Sequence, residues 1–458
     1  ILPNLFHCFK EFIMIIRSIS GVRGLIDSHL SSEKIKAYAR AFHTHIDQGL
    51  VFLGRDTRPS GEDLLNAFTE ELIRLGRDVI ICGIVPTPTV QFMVERSEAS
   101  GGVIITASHN PIEWNGLKFV RSDGTFFHPE ECEALFEFVD KDQDINNAIQ
   151  PGMLFPDQNS ILKHSIEIIE LSCIDLSAIR KRQFKVVIDA VNGSGSVALP
   201  LLLDQLGCDV IPIHCEGNGD FSHGAEPLPE NLIDLNQAVI ENSADVGFAV
   251  DPDADRLAVV SEAGEPLGEE YTLVLAVEGY IKNKQTKEIF VTNLSTSLAL
   301  EKMAEKYNCS VERSAVGEIN VVRKMLEFGS DLGGEGNGGV ILKEAHLGRD
   351  SLVGAAMILN RMAQDELPIS AIHAALPQFH IVKDKINLDG INKDAVQEKA
   401  KSIFTDAKVN TVDGVKFIWD DCWIHLRGSN TEPIMRIYAE GPTEAGAREL
   451  IDKIRAVI

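Results

Sequence analysis

Ser108 stands in the stretch TASHNP, residues 106–111, between the β-branched run GGVII and the segment IEWNGLKF that carries Lys118. A serine hydroxyl is a weak nucleophile unless a base assists it or its acceptor is strongly electrophilic. His109 is adjacent, but neighbours on an extended strand point to opposite faces, so the two side chains meet only through the turn. The surroundings also lack the G-x-S-x-G elbow of α/β hydrolases. On this loop alone, Ser108 attacks a substrate, holds a ligand, or starts a turn.

A second loop, VGFAVDPDADRLAVV, sets Asp251, Asp253 and Asp255 at alternate positions between two strand-like runs. Three close carboxylates repel one another unless a cation neutralises them, and hard oxygen ligands suit Mg²⁺ or Ca²⁺. The spacing resembles an EF-hand, with Glu262 at the twelfth position, but Arg256 stands where that loop requires glycine and the flanks are β-like. Mg²⁺ keeps coordination positions open for a phosphoryl oxygen, and Arg256 is suited to offset phosphoryl charge. The third loop, DLGGEGNGGVIL (331–342), brings backbone close to a ligand through its glycines. Glu335 and Asn337 there can hydrogen-bond the hydroxyls of a sugar-like polyol. It is no dinucleotide fingerprint, because an apolar strand follows it. In the fourth loop, HLRGSNTEPIMRIYAEG, Arg427, Ser429, Asn430 and Thr431 gather a guanidinium, hydroxyls and an amide, the nest a phosphate requires.

The elements that position these loops repeat. Segments beginning at 51, 186 and 289 each read as a short buried strand, a polar turn, an amphipathic helix and a second strand. Such alternation implies parallel pairing with right-handed crossovers. Three similar mixed-sheet α/β domains are therefore expected, at 14–155, 156–258 and 259–370, with a C-terminal α+β domain at 371–458. Residues 1–13 are set aside from this reading. With 458 residues, 44% hydrophobic and 24% charged, the composition is that of a soluble enzyme. A net charge of −25 argues against nucleic acid or an anionic membrane surface as partner. Eight scattered cysteines without a C-x-x-C pair suggest reduced thiols, and no run spans a membrane or forms a cleavable leader. A cytoplasmic location is expected.

Taken in order, these loops resemble those of the α-D-phosphohexomutase family, which comprises phosphoglucomutases, phosphomannomutases and phosphoglucosamine mutases. SGVRG at 20–24, GRDTR at 54–58 and VGE at 316–318 belong to the same pattern, which runs from about residue 15 to the end. GEGNGG looks most like the archaeal-type phosphoglucosamine mutases. The resemblance implies a heart-shaped four-domain architecture and a phosphoserine at Ser108. It also implies an Mg²⁺ site made by Ser108, Asp251, Asp253 and Asp255. Lys118 and His109 match positions of proton transfer and support, and Arg23 and Arg256 match arginines near the transferred phosphoryl. Glu318, Glu335 and Asn337 fall where the sugar is recognised, and Arg427, Ser429, Asn430 and Thr431 where its other phosphate is clamped. The implied reaction interconverts hexose 6-phosphate and hexose 1-phosphate, primed by hexose 1,6-bisphosphate, in a monomer or homodimer. Glucosamine phosphate is the favoured substrate, with glucose/mannose phosphate dual specificity the alternative. A metal-dependent sugar phosphatase and a non-catalytic sugar-phosphate binder are the other classes.

Overall fold

Apolar β-branched runs become strands wherever amphipathic helices separate them, and they do so in the computed structural model. It describes residues 15–26, 28–284, 287–388, 392–428 and 434–456. The first sheet contains β1 (Ile16–Ser18), β2 (Gly21–Leu25), β3 (Val51–Arg55), β4 (Val79–Ile84), β5 (Gly101–Ile105), β6 (Trp114–Arg121) and β7 (Leu154–Pro156). The second contains β8 (Lys185–Asp189), β9 (Asp209–Ile213), β10 (Val246–Val250) and β11 (Leu257–Ser261). The third contains β12 (Ile289–Asn293), β13 (Ser310–Ser314), β14 (Leu332–Glu335) and β15 (Gly339–Leu342). β16 (His380–Asn387), β17 (Lys408–Asn410), β18 (Val415–Ile418), β19 (Trp423–Gly428) and β20 (Ile434–Gly441) form a fully antiparallel fourth sheet, in the order β16-β20-β19-β18-β17.

One arrangement recurs in the first three sheets. β3, β8 and β12 are each flanked by two parallel neighbours, β4 and β5, β9 and β10, or β13 and β14. The second neighbour then turns back through a hairpin into an antiparallel strand, giving β5–β6, β10–β11 and β14–β15. Residues 106–113, 251–256 and 336–338 therefore occupy the same topological position three times. Each follows the carboxyl end of a parallel strand, where open α/β sheets present ligands.

The second and third units share one apolar core that runs from Ile168 to Leu376. At its centre, helix Ser351–Asp365 is buried nearly all round, as an interior helix must be, and Asp350 caps it by accepting from the N–H groups of Leu352 and Val353. Helix Thr87–Glu95, started by Pro88, covers one face of the first sheet. The fourth sheet has a core of its own, closed by helices Lys393–Ile403 and Glu444–Arg455. It meets the third unit through polar groups. Lys416 Nζ donates to the Leu294 carbonyl, Ser295 Oγ pairs with His425 Nδ1 at 3.1 Å, and the Leu298 N–H donates to Glu440 at 2.8 Å. No helix among the described residues is long and apolar enough to cross a membrane.

Candidate active site

β5 ends in a turn that holds Ser108 at φ 51°, a left-handed conformation that costs a residue with a Cβ on the order of 1–2 kcal/mol. Neighbouring groups hold it there. Thr106 Oγ1 accepts the Ser108 N–H at 2.9 Å and donates to Asp56 at 2.6 Å. The Arg58 guanidinium, paired with Asp56, donates to the carbonyls of Ser108 (2.8 Å) and Asn110. The GRDTR stretch thus acts as a brace. The left-handed turn brings Ser108 Oγ to 3.2 Å from His109 Nδ1, although the two residues are neighbours in sequence. Arg256 donates to the same ring nitrogen at 3.0 Å. The Arg256 charge and then burial push His109 well below its ordinary value, so the ring is neutral and Nδ1 is an acceptor.

Ser108 Oγ also donates to Asp251 Oδ2 at 3.1 Å. The other oxygen of Asp251 accepts the N–H groups of Asp255 (3.1 Å) and Arg256 (3.2 Å), which shapes the 251–256 turn. Asp253 is fixed from the first unit, by the Thr87 hydroxyl at 2.6 Å and by Lys118 Nζ at 2.6 Å. Lys118 reaches Asp255 as well, at 2.8 Å. All three aspartates are fully buried. Burial, and then Asp255 and Asp253, push Asp251 well above the usual carboxylate range. Burial would raise Asp255 too, but Arg349 and Lys118 outweigh it and hold that group well below the range. Each carboxylate offers one oxygen within 4.8 Å of the other two, and Oδ1 of both Asp253 and Asp255 is buried without a partner. Hard, orphaned carboxylate oxygens of this kind fit a divalent cation such as Mg²⁺.

The third unit completes the centre through a residue the sequence reading did not single out. Arg349 donates to Asp255 at 2.7 Å, to Glu318 at 3.0 Å and to Glu335 at 2.8 Å, joining the 251–256 loop to the segments 316–318 and 331–342. A Cβ on Gly339 would lie 2.3 Å from Arg349 Cδ, so the last glycine of GEGNGG makes room for this side chain. The available signal was Gly-Arg-Asp at 348–350, a second copy of 54–56 placed directly before a helix. Glu335 is further engaged by the Asn293 amide (2.7 Å) and the Gly317 N–H (3.0 Å), so it anchors the 316–318 turn. Burial raises the Glu318 carboxyl against the opposing Arg349 charge. Asn337 keeps a buried, unpartnered Oδ1.

Arg23, on β2, donates to Asn110 at 2.8 Å, and burial pulls it down to about 10. The structure therefore gathers Ser108, His109, Lys118, Arg23, Arg256, the three aspartates, Glu318 and Glu335 into one connected network. Arg427, at the end of β19, joins it through Asp413. That carboxylate accepts from Arg427 Nε at 2.9 Å and from the Val316 N–H at 3.1 Å. Ser429, Asn430 and Thr431 lie outside the described residues.

Comparison with known proteins agrees with this layout. Phosphoglucomutase/phosphomannomutase family models match in four consecutive pieces: alpha/beta/alpha domains I, II and III at 15–146, 163–264 and 268–379, and the C-terminal domain at 386–457. A phosphoglucomutase/phosphomannomutase of Thermococcus kodakarensis is 36% identical, covering 94% of this chain and 96% of its own. A Methanopyrus kandleri protein named "Probable phosphoglucosamine mutase" is 32% identical over 96% of each. The crystal structure of a Burkholderia thailandensis phosphoglucomutase/phosphomannomutase family protein superposes with a TM-score of 0.83 at 25% identity, covering 96% of this chain and 97% of its own.

Proposed function

Because this chain belongs to the phosphoglucomutase/phosphomannomutase family of phosphohexomutases, we propose that it interconverts hexose 6-phosphate and hexose 1-phosphate through a phosphoserine at Ser108. The observation that carries this reading is the buried Ser108 hydroxyl, 3.1 Å from Asp251 and 3.2 Å from a neutral His109 imidazole. Phosphoserine gives its phosphoryl to the free sugar hydroxyl: the serine O–P bond breaks, a sugar O–P bond forms, and the proton lost by the sugar hydroxyl is balanced by the one that restores the Ser108 hydroxyl. The bisphosphorylated sugar then returns its other phosphoryl to Ser108. Such transfer depends on positioning and charge neutralisation more than on covalent chemistry. Mg²⁺ held by Asp251, Asp253, Asp255 and Ser108 supplies positive charge at the phosphoryl oxygens. Arg256 and Arg23 flank the serine loop and add fixed positive charge. His109 Nδ1 faces the hydroxyl that must lose its proton when phosphoserine is regenerated. Lys118 stays cationic, because Asp253 and Asp255 outweigh its burial. Glu318 and Asn337 face the sugar, and Arg427 with Ser429, Asn430 and Thr431 grips the phosphate that stays in place.

Glucosamine phosphate is the proposed substrate, since the Asn337 amide can both donate to and accept from a 2-amino sugar. A dual glucose/mannose phosphate specificity is the second reading, supported by the name of the 36% identical relative. We place the enzyme in the cytoplasm, as a monomer or homodimer. Initial rates with Mg²⁺ and catalytic hexose 1,6-bisphosphate test these readings, comparing glucosamine, glucose, mannose and N-acetylglucosamine 1-phosphates against Ser108→Ala. A large preference for glucosamine 1-phosphate supports the first substrate, and equal or faster glucose and mannose phosphates select the second. An unimpaired Ser108→Ala enzyme removes the phosphoserine from the mechanism. Phosphate released at the turnover rate would mean a phosphatase.

A further inference from the structure

One residue beyond Arg349, Asp350 forms a second cluster with His164 and His346. His164 belongs to helix Ser160–Ile169, and the other two lead into helix Ser351–Asp365. All three are buried to 1% exposure or less, and each offers a donor atom within 4.8 Å of the other two. His164 Nε2 lies 2.9 Å from Asp350 Oδ2, yet it is not aligned for a hydrogen bond and has no partner. His346 Nε2 lies 3.1 Å from the same oxygen. The His346 contact is a hydrogen bond and the His164 contact is not, so two imidazole nitrogens converge on one carboxylate oxygen and one of them is left without a hydrogen bond.

The surroundings complete the pattern. Thr89 Oγ1 sits 3.1 Å from His164 Nδ1 and Phe92 stacks on the ring at 4.9 Å, which fixes its orientation. His346 Nδ1 and Glu95 Oε2 are also buried without partners. Thr89 Oγ1 serves the His164 ring as an outer hydroxyl partner. Histidine ligands to metals ordinarily have such an outer carboxylate or hydroxyl partner.

We propose that His164, His346 and Asp350 bind a divalent transition-metal ion, Zn²⁺ by preference, that clasps the second and third units together. Two imidazoles and one carboxylate, with the fourth position taken by a water, suit tetrahedral zinc, whereas the all-carboxylate set at 251–255 suits Mg²⁺. The ion fixes Asp350, hence the start of helix Ser351–Asp365 and the neighbouring Arg349. It acts as a positioning element and touches no substrate.

The test is metal content and cobalt spectroscopy of the full chain. Protein produced in minimal medium with Co²⁺ is dialysed against a chelator and returned to Mg²⁺. The expected result is about one cobalt per chain, retained through dialysis, with the intense visible bands of a tetrahedral nitrogen-containing site. His164→Gln is expected to lose both the metal and the bands, while its circular dichroism remains native. Below about a tenth of an equivalent of cobalt, or only the weak spectrum of an oxygen-ligated octahedral ion, overturns the proposal. The cluster is then a hydrogen-bonded one, with neutral imidazoles donating to Asp350. Because the unaltered chain gives the deciding spectrum, failure of the variant to fold would not rescue the proposal.

Discussion

The first three units and the fourth hold on to the molecule by different means. Around the site the first three are joined by buried ion pairs centred on Asp255 and Arg349, and the second and third also share one apolar core. The fourth has a separate core and meets the third through polar contacts at Leu294, Ser295, Leu298 and Val316 and through ion pairs from Lys383 to Glu269 and Glu270. The first arrangement fixes Ser108 and the three aspartates against the third unit. The second, with a separate core on each side, is the junction more open to relative movement, as interfaces between domains ordinarily are.

Four experiments press on that contrast. Ser108→Ala is expected to lower kcat at least ~10³-fold with unchanged urea unfolding, because it removes the attacking atom and no packing. Arg349→Met should destabilise the chain by about 3–5 kcal/mol, read as a lower urea midpoint, since it strands three buried carboxylates. An unchanged midpoint would mean that the first three units are held by their apolar cores alone. By contrast, Arg427→Ala should raise KM about 10–100-fold and leave the midpoint alone, because its ion pair to Asp413, the one it makes among the described residues, is partly solvated. A loss of stability there would erase the distinction between the two regions.

The smallest effect concerns pH. His425 is neutral at the third–fourth junction, accepting from Ser295 and donating to the Asp413 carbonyl, and burial pulls it down to about 4. Between about 6.5 and 4 the unfolded chain binds a proton that the folded chain does not. Stability therefore falls as pH drops through that window, by about 3 kcal/mol at most. Urea midpoints at pH 7 and 5 should differ less in His425→Gln than in the parent.

Much of this was legible in the residues. Strand–helix alternation and the turn residues gave three related α/β units and an α+β tail, because those signals are local. TASHNP and DPDADR marked the centre because both depend on a few consecutive residues. Arg349 escaped for the opposite reason: its three partners lie 14, 31 and 94 residues away, and no spacing rule connects them. The anchoring partners of Glu335 escaped likewise: Asn293, Gly317 and Arg349 donate to it, and such tertiary partners are invisible in a linear string. His109 was doubtful beside Ser108 because an extended chain separates neighbours; the left-handed turn removes that objection.

The 94 residues between Asp255 and Arg349 have a bearing on synthesis. The ribosome makes the chain from its amino terminus, and units generally fold in that order. A nascent chain that has passed Arg256 already carries Ser108, the three aspartates and Lys118, but not the guanidinium that locks Asp255 to Glu318 and Glu335. The centre thus stays unfinished until the third unit has emerged, so a product truncated before residue 349 would carry Ser108 without an assembled network around it.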